Sequence, residues 1–173
     1  MKRLYYLRHG LSHMNKLGVY AGHTDTPLAE EGKQGALEEG KKHKDLQIDI
    51  ILASPLSRAH ETAKLFAQGA GLPESMIQTD ELLFERNFGV LENTPWSPEV
   101  SKGLVNDNLP EGVERWDDMI ARAHKILEQI EHLPVDNVLL VAHGSIGRAI
   151  RSILNPEADI NAHIPNTELV RWI

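Results

Sequence analysis

Three short apolar segments of the chain each lead into a cationic or nucleophilic side chain. The segments and the residues that follow them are 4–7 with Arg8 and His9, 48–53 with Arg58, and 137–142 with His143. Arginine presents a planar fork of donors that matches phosphate oxygens. A histidine with one unprotonated ring nitrogen is a nucleophile or base near neutral pH. Because open α/β sheets bind ligands at the carboxyl ends of their strands, this pattern predicts a phosphate-handling site where the three segments end.

Transfer of a phosphoryl group through a covalent intermediate is the chemistry that fits these residues. His9 is the predicted nucleophile, because a covalent route divides the barrier to phosphate ester cleavage into two smaller steps. The negative charge on the three equatorial oxygens must then be met by donors that are already in place. The groups predicted to supply them are Arg8, Arg58, His143, Asn15 and the backbone N–H of Gly144.

Length and composition are those of an ordinary globular domain. The chain has 173 residues, 41% of them apolar and 25% charged, so one domain over 1–173 is expected. A net charge of −7 argues against a nucleic-acid partner, and the absence of cysteine excludes disulfides and thiolate chemistry. No apolar run approaches the roughly 20 residues that span a bilayer, and no signal-peptide core follows the N-terminus. A cytoplasmic location without a membrane partner is expected.

The three strand-like segments alternate with helical patterns. Helices are predicted from near Leu28 to the lysines at 41–44, from Ser54 as N-cap to about residue 70, over 112–133 and over 145–154. Strands are predicted at 76–79, on a sheet edge, and at 168–173, and a long surface excursion is predicted over 80–110. The βαβα order predicts an α/β fold of three layers, α/β/α, with a mostly parallel central sheet.

Five sequence blocks extend these motifs over most of the chain. They are Leu-Arg-His-Gly at 7–10 with Asn15, Gly-His-Thr-Asp-Thr-Pro-Leu at 22–28, Ser-Pro-Leu-Ser-Arg-Ala with Glu-Thr-Ala within 54–63, Leu-Phe-Glu-Arg-Asn-Phe-Gly at 83–89, and Val-Ala-His-Gly at 141–144. In these blocks and their order the chain resembles the histidine phosphatase superfamily, which includes the cofactor-dependent phosphoglycerate mutases. The resemblance implies a phosphoglycerate mutase-like fold, a phosphohistidine intermediate on His9, and a phosphate pocket formed by the motif positions.

The leaving alkoxide needs a proton, which a carboxylic acid near the pocket can supply. The resulting carboxylate can then activate water. The resemblance assigns this role to Glu85, because the segment 84–89 is similar to the acid-bearing segment of the family. Glu92 is the main alternative, and Glu81 is a third candidate.

Loop residues without a predicted role in phosphate binding or proton transfer could line the rim of the pocket or a subsite beside it. The histidines in predicted loops are His13, His23 and His163. The aromatic residues that could form an apolar subsite are Phe84, Phe88 and Trp96, for which a place in the core is an equal alternative.

The chain departs from the family pattern at residues 90–93, which read Val-Leu-Glu-Asn where the family commonly has Trp-Glu-Gly. This departure bears on the loop that faces the substrate and leaves the phosphate-binding motifs intact. The chain is also shorter than typical phosphoglycerate mutases, which favours water as the acceptor of the phosphoryl group.

The expected function is therefore a metal-independent phosphatase without a cofactor, acting on a small phosphorylated metabolite through phosphorylated His9. Two alternatives stay open: mutase-type phosphoryl transfer, and a phosphate-binding module without activity. A metal site built from His9 and His143 with Asp25 or Glu85 is disfavoured, because two arginines beside it would repel a cation. The sequence shows no exposed apolar stripe and therefore predicts no oligomeric state.

Overall fold

The computed structural model describes residues 2–173 and is built around a five-stranded sheet. In chain order the strands are β1 (Arg3–Arg8), β2 (Ile50–Ala53), β3 (Ile77–Thr79), β4 (Asn137–Ala142) and β5 (Leu169–Arg171). Their spatial order is β3-β2-β4-β1-β5, and neighbours are parallel except for β1 and β5. The predicted α/β fold with a mostly parallel central sheet is confirmed, and β3 lies on the predicted edge.

Helices cover both faces of this sheet. Within the described residues the α-helices are α1 (His13–Leu17), α2 (Glu30–Lys42), α3 (Ser57–Ala70), α4 (Pro98–Gly103), α5 (Trp116–His132) and α6 (Gly144–Leu154). Alternation along β1 sends Leu4 and Tyr6 into a core with α5 and α6, and Tyr5 and Leu7 into a second core with α3. The central strands are thus buried on both sides, which fits their near-continuous apolar sequence.

The start of helix α2 braces the loop that follows β1. A Cβ atom added to Gly10 would lie 2.6 Å from the carbonyl oxygen of Gly32, and one added to Gly32 would lie 2.2 Å from that of Leu11. Only glycine allows the two backbones to approach so closely. This contact holds the backbone directly after His9 in one place.

Helix α3 begins at Ser57, two residues later than predicted, and its N-cap is Leu56 in place of Ser54. The Ser54 side chain instead accepts a hydrogen bond from the backbone N–H of Leu56 at 3.3 Å and pairs with a histidine of the site. The first turn of α3 is capped by Asp25, whose Oδ1 accepts from the Ser57 backbone N–H at 2.8 Å and from its hydroxyl at 2.7 Å. The cap comes from a distant loop, which periodicity within the helix does not reveal.

Helix α5 begins at Trp116, so the prediction of a helix from Gly112 is wrong by one turn. Gly112 has φ +75°, and Val113 forms an antiparallel bridge with Phe88 and packs in a small core with Tyr20. A helical register would have turned Val113 away from that core.

The segment 80–110, predicted as a surface excursion, contains short 3₁₀ turns at Glu81–Leu83 and Gly89–Leu91 as well as α4. The predicted last strand is present as β5 and runs antiparallel to β1. None of the helices in residues 2–173 is long and apolar enough to cross a membrane.

Candidate active site

The strand register brings the predicted site residues to one edge of the sheet. Arg8 at the end of β1 lies opposite Ala142 at the end of β4, and Ala53 at the end of β2 lies opposite Val141. The residues after all three strands therefore meet at the same edge, around a cavity of about 370 Å³. The predicted site residues that line this cavity are Arg8, His9, Asn15, Arg58, Glu85 and Gly144.

His9 is fixed at both its backbone and its ring. Its backbone N–H donates to the carbonyl of Ala142 at 2.9 Å, and the Asn166 side-chain amide donates to its carbonyl at 2.7 Å. Ring nitrogen Nδ1 lies 2.7 Å from the carbonyl oxygen of Gly10. Because a carbonyl oxygen only accepts, Nδ1 carries the proton in this contact and Nε2 is left unprotonated.

The electrostatic environment of His9 favours the neutral form of its ring. Burial lowers the pKa of His9 well below its ordinary value, and the positive charges of Arg58 and Arg8 lower that pKa further. The side chain is only 3% exposed. An unprotonated, oriented nitrogen is therefore present at neutral pH.

Of the arginines that line the cavity, Arg58 is buried and Arg8 is half-buried, and neither has a carboxylate partner within 4 Å among residues 2–173. Arg8 donates to the carbonyl of Ile164 at 2.8 Å, and Arg58 donates to those of Gly22 at 2.7 Å and Thr24 at 3.0 Å. The Nε of each guanidinium is buried without a partner. Unpaired buried cations are costly, so the site is prepared for an anion.

His143 lies beside His9 but does not reach the surface of the cavity. Its ring centroid is 5.1 Å from that of His9, its side chain is fully buried, and its Nε2 lies 2.8 Å from the hydroxyl of Ser54. The Tyr6 hydroxyl donates to its carbonyl at 2.5 Å. Burial lowers the pKa of His143 well below its ordinary value, so its ring is neutral, with Nδ1 unpaired.

Glu85 is held at the N-terminus of helix α6 and lines the same cavity as the arginines. Its Oε1 accepts from the backbone N–H groups of Ser145 at 3.0 Å, Ile146 at 3.2 Å and Arg86 at 2.9 Å. The carbonyls of its own segment are held by Arg122, which donates to Phe84 at 2.9 Å. Of the three candidate acids, Glu85 is the one that lines the cavity.

Glu92, the main alternative to Glu85, has a different place. Its carboxylate accepts from the backbone N–H groups of His23 at 2.8 Å and Thr24 at 2.9 Å, and from that of Phe88 at 3.2 Å. It thereby fixes the loop whose carbonyls receive Arg58. Glu81, the third candidate, is exposed at the start of a 3₁₀ turn.

The two remaining predicted donors are also at the cavity. Asn15 accepts from the Ser12 backbone N–H through its Oδ1 at 3.0 Å, in a capping box that starts α1. Its amide nitrogen is the part of the side chain left to donate to a ligand. Gly144 begins α6, where a Cβ atom would lie 3.5 Å from the Arg8 guanidinium carbon.

Several cavity residues were absent from the sequence-based prediction. Arg148 and Ser145 on α6 and Arg86 beside Glu85 all line the cavity. Arg148 follows Gly144 by four residues, so helical spacing could have indicated that it shares a face with the motif. Among the predicted rim residues His163, Phe88 and Trp96 line the cavity, whereas His13 and His23 do not. Residues 2–173 hold no group of three His, Asp or Glu side chains placed to bind a metal ion.

Lowering the pH should destabilise the protein through the two buried histidines. Their folded-state pKa lies below the ordinary value, so the unfolded chain binds more protons below about pH 6.5. The free energy of unfolding should fall with decreasing pH, by up to about 1.4 kcal/mol per pH unit for each histidine. Urea titrations at pH 7, 6 and 5 measure this slope. The variant His9→Asn should show a shallower slope, and an unchanged slope would contradict the assignment to His9.

This fold belongs to a class of α/β proteins with a mostly parallel sheet, and the site places His9 and the cavity arginines at the carboxyl edge of that sheet. The model of the histidine phosphatase superfamily (branch 1) matches residues 4–172, and the chain belongs to this family. The resemblance inferred from the sequence blocks is confirmed.

Similar proteins include both mutase-type and phosphatase-type members. The chain is 32% identical over 166 residues to the probable phosphoglycerate mutase GpmB of Escherichia coli O1:K1 / APEC, covering 89% of this chain and 75% of that protein. A mycobacterial glucosyl-3-phosphoglycerate phosphatase solved with VO3 matches with a TM-score of 0.84 and 25% identity, covering 99% of this chain and 92% of that one. The alpha-ribazole phosphatase of Shigella flexneri shares the fold, with a TM-score of 0.81 at 23% identity over 98% of this chain and 89% of that one.

Proposed function

We propose that this protein is a metal-independent phosphatase that hydrolyses a small phosphate monoester through a phosphohistidine on His9. The observation that carries the proposal is the hydrogen bond from His9 Nδ1 to the carbonyl of Gly10, at 2.7 Å. It leaves Nε2 unprotonated and oriented in a cavity whose other walls include two arginines. Two cationic walls favour a phosphate dianion and disfavour a metal ion at the same place.

In the first step His9 Nε2 attacks phosphorus in line with the ester oxygen. The N–P bond forms as the P–O bond to the alcohol breaks, and the charge on the equatorial oxygens is met by Arg8 and Arg58. The alkoxide takes a proton from the carboxyl group of Glu85 as the alcohol departs. Glu85 then remains in the site as the carboxylate. The Gly10 carbonyl, which accepts from Nδ1, stabilises the positive charge that develops on the ring.

In the second step a water molecule attacks the phosphohistidine. The carboxylate of Glu85 takes one proton from the water, the O–P bond forms, and the N–P bond breaks to restore neutral His9. Inorganic phosphate leaves and Glu85 is again protonated. Two backbone donors at the start of α6 and the N–H of Arg86 hold its carboxyl group in one orientation through both steps.

Replacing Arg58 should weaken the binding of phosphate analogues. Arg58→Ala removes a cation that is 1% exposed, and the Kd for vanadate should rise by about 30-fold, the effect of one lost charge-assisted hydrogen bond of about 2 kcal/mol. Inhibition of phosphate release by vanadate measures the change. The exposed Arg171 on β5 provides the matched control Arg171→Ala, which should leave the Kd unchanged. Equal vanadate affinity of Arg58→Ala and the parent would remove Arg58 from the phosphate clamp.

Mutase-type transfer is the second candidate, favoured by the 32% identity to a probable phosphoglycerate mutase. A mutase keeps the phosphoryl group and returns it to another hydroxyl, so it needs a bisphosphorylated primer and releases little inorganic phosphate.

One pair of assays decides between the candidates. Phosphate release is followed across a panel of monoesters with and without EDTA, alongside conversion of 3- to 2-phosphoglycerate primed by 2,3-bisphosphoglycerate. EDTA-resistant release is expected for the phosphatase. Primed conversion of phosphoglycerate without phosphate release would make the protein a mutase. No activity in either assay, with retained vanadate binding, would make it a phosphate-binding module.

A further inference from the structure

A second cavity of about 590 Å³ adjoins the phosphate cavity. It lies between α4, the start of α5 and α6. The residues that line both cavities are Arg86, Trp96, Ser101, Leu104 and Arg148. Because the two cavities share these walls, the organic part of an ester bound at His9 has a direct way into the second cavity. A volume of this size holds a ligand much larger than a three-carbon acid.

The walls of the second cavity present apolar and aromatic surface to solvent. Trp96 is 54% exposed, Val105 59% and Ile160 38%, and all three line the cavity. Trp116 adds a second indole, and the guanidinium carbon of Arg86 lies 5.9 Å from its ring centroid. Large apolar side chains left open in a cleft mark a binding surface, and two indoles favour a flat ring system as its occupant.

The charges of this cavity are all positive. Its cationic residues are Arg86, Lys102 and Arg148, and no acidic residue is among those that line it. None of the three forms an ion pair within 4 Å among residues 2–173, and the Nε of Arg148 is buried without a partner. The whole chain carries a net charge of −7, so this local excess of positive charge is not a general property of its surface. A negative group on the ligand, beyond the phosphate itself, would pair with these cations.

We propose that the substrate is an extended phosphate monoester whose alcohol carries an aromatic ring system and a second anionic group such as a carboxylate. The inference rests on the proposed phosphatase function, since it places the phosphate at His9 and the ring between the indoles of Trp96 and Trp116. The second anion lies toward Lys102 and Arg148. Three-carbon phosphoglycerates leave most of this cavity empty.

Binding of non-hydrolysable phosphonates to the full chain tests the substrate class without relying on turnover. The probes are ethylphosphonate, (2-naphthylmethyl)phosphonate and its 6-carboxy derivative, with Kd measured by calorimetry. The carboxynaphthyl compound should bind about 100-fold more tightly than ethylphosphonate, since aromatic burial and a charge pair each contribute roughly tenfold.

Two exposed residues that line only the second cavity separate the two contributions. Lys102→Glu should raise the Kd of the carboxynaphthyl compound by about tenfold and leave the Kd of ethylphosphonate unchanged. Val105→Asp should raise the Kd of both naphthyl compounds and again leave the Kd of ethylphosphonate unchanged. The matched controls are Lys44→Glu and Val90→Asp, exposed positions outside both cavities, which should change none of the three Kd values.

Hydrolysis assays on the same proteins distinguish failure of this inference from failure of the phosphatase. One outcome is phosphate release together with equal affinity for the ethyl and naphthyl phosphonates, or with no effect of Lys102→Glu and Val105→Asp on Kd. This outcome would contradict the proposed substrate class and still support the phosphatase activity. No release from any ester, with the expected Kd pattern intact, would overturn the phosphatase and support the ligand class.

Discussion

Replacing His9 by asparagine should reduce phosphate release by about 10⁴-fold or more, because the variant has no ring nitrogen to form the covalent intermediate. The asparagine side chain can still donate to the carbonyl of Gly10, so the loop after β1 should keep its conformation. Parent protein mixed with a ³²P-labelled ester and quenched in alkali should retain label that is lost in acid, as a phosphohistidine requires. The His9→Asn variant should retain none.

His9→Ala is the companion variant, and it removes the Gly10 contact as well as the nucleophile. If both variants are equally inactive and both melt cooperatively, the loss belongs to the nucleophile and not to the loop. Retention of a tenth of the parent activity in either variant would remove His9 from the nucleophilic role. Label that persists in His9→Asn would move the covalent step to another residue, and His143 would be the first to examine.

The residues that meet at the carboxyl edge of the sheet could be predicted from the sequence because their positions follow from chain topology. Arg8 ends strand β1, and His9 and His143 directly follow β1 and β4. Parallel strands bring such residues to one edge of the sheet, independently of the conformation of the loops. Arg58 was predicted for the same reason, since the first turn of a helix after a strand lies at that edge. None of these placements depends on long-range side-chain packing.

Details that depend on distant contacts were not predicted. Asp25 caps helix α3 from a loop more than thirty residues earlier, at 2.8 Å from the Ser57 N–H, so the start of α3 was placed too early. His143 was expected to face the phosphate directly, but Ser54 and Tyr6 hold it in the protein interior beside His9. Both outcomes are set by tertiary partners that local patterns do not contain.

The wall of the second cavity was the least predictable part of the site. Trp116 and Met119 both fall in the apolar stripe of α5, and Met119 is fully buried there. Trp116 is half-buried: it packs against the same core as Met119 and also lines the second cavity, because α5 starts at this residue. A helix end has fewer neighbours than a helix middle, and hydrophobic periodicity alone does not distinguish the two.

The separate positions of Glu85 and Glu92 show how two similar carboxylates can serve different purposes. Glu85 accepts from backbone amides at the start of α6 and lines the cavity. Glu92 accepts from the amides of His23 and Thr24 and so holds the loop that receives Arg58. The proposed acid is therefore Glu85, with Glu92 acting through the position of Arg58.

Glu85→Gln should slow the hydrolysis of alkyl phosphates by about 10² to 10⁴-fold, the usual contribution of a general acid. The amide oxygen of the glutamine can still accept from the Ser145 and Ile146 backbone N–H groups, so the start of α6 should stay in place. An alkoxide leaves poorly without a proton, and the amide cannot supply one at neutral pH. Steady-state release from ethyl phosphate measures this loss.

The same variant should behave differently with p-nitrophenyl phosphate, whose phenolate leaves without protonation. Transfer to His9 should stay fast, whereas attack of water on the phosphohistidine should be slow because Glu85 also acts as its base. Stopped-flow absorbance should therefore show a burst of about one p-nitrophenolate per protein molecule, followed by slow turnover. Glu81→Gln, at an exposed glutamate outside the cavity, should show parent kinetics with both esters. Equal slowing of the two esters without a burst would mean that Glu85 holds the structure of the site and does not transfer the proton.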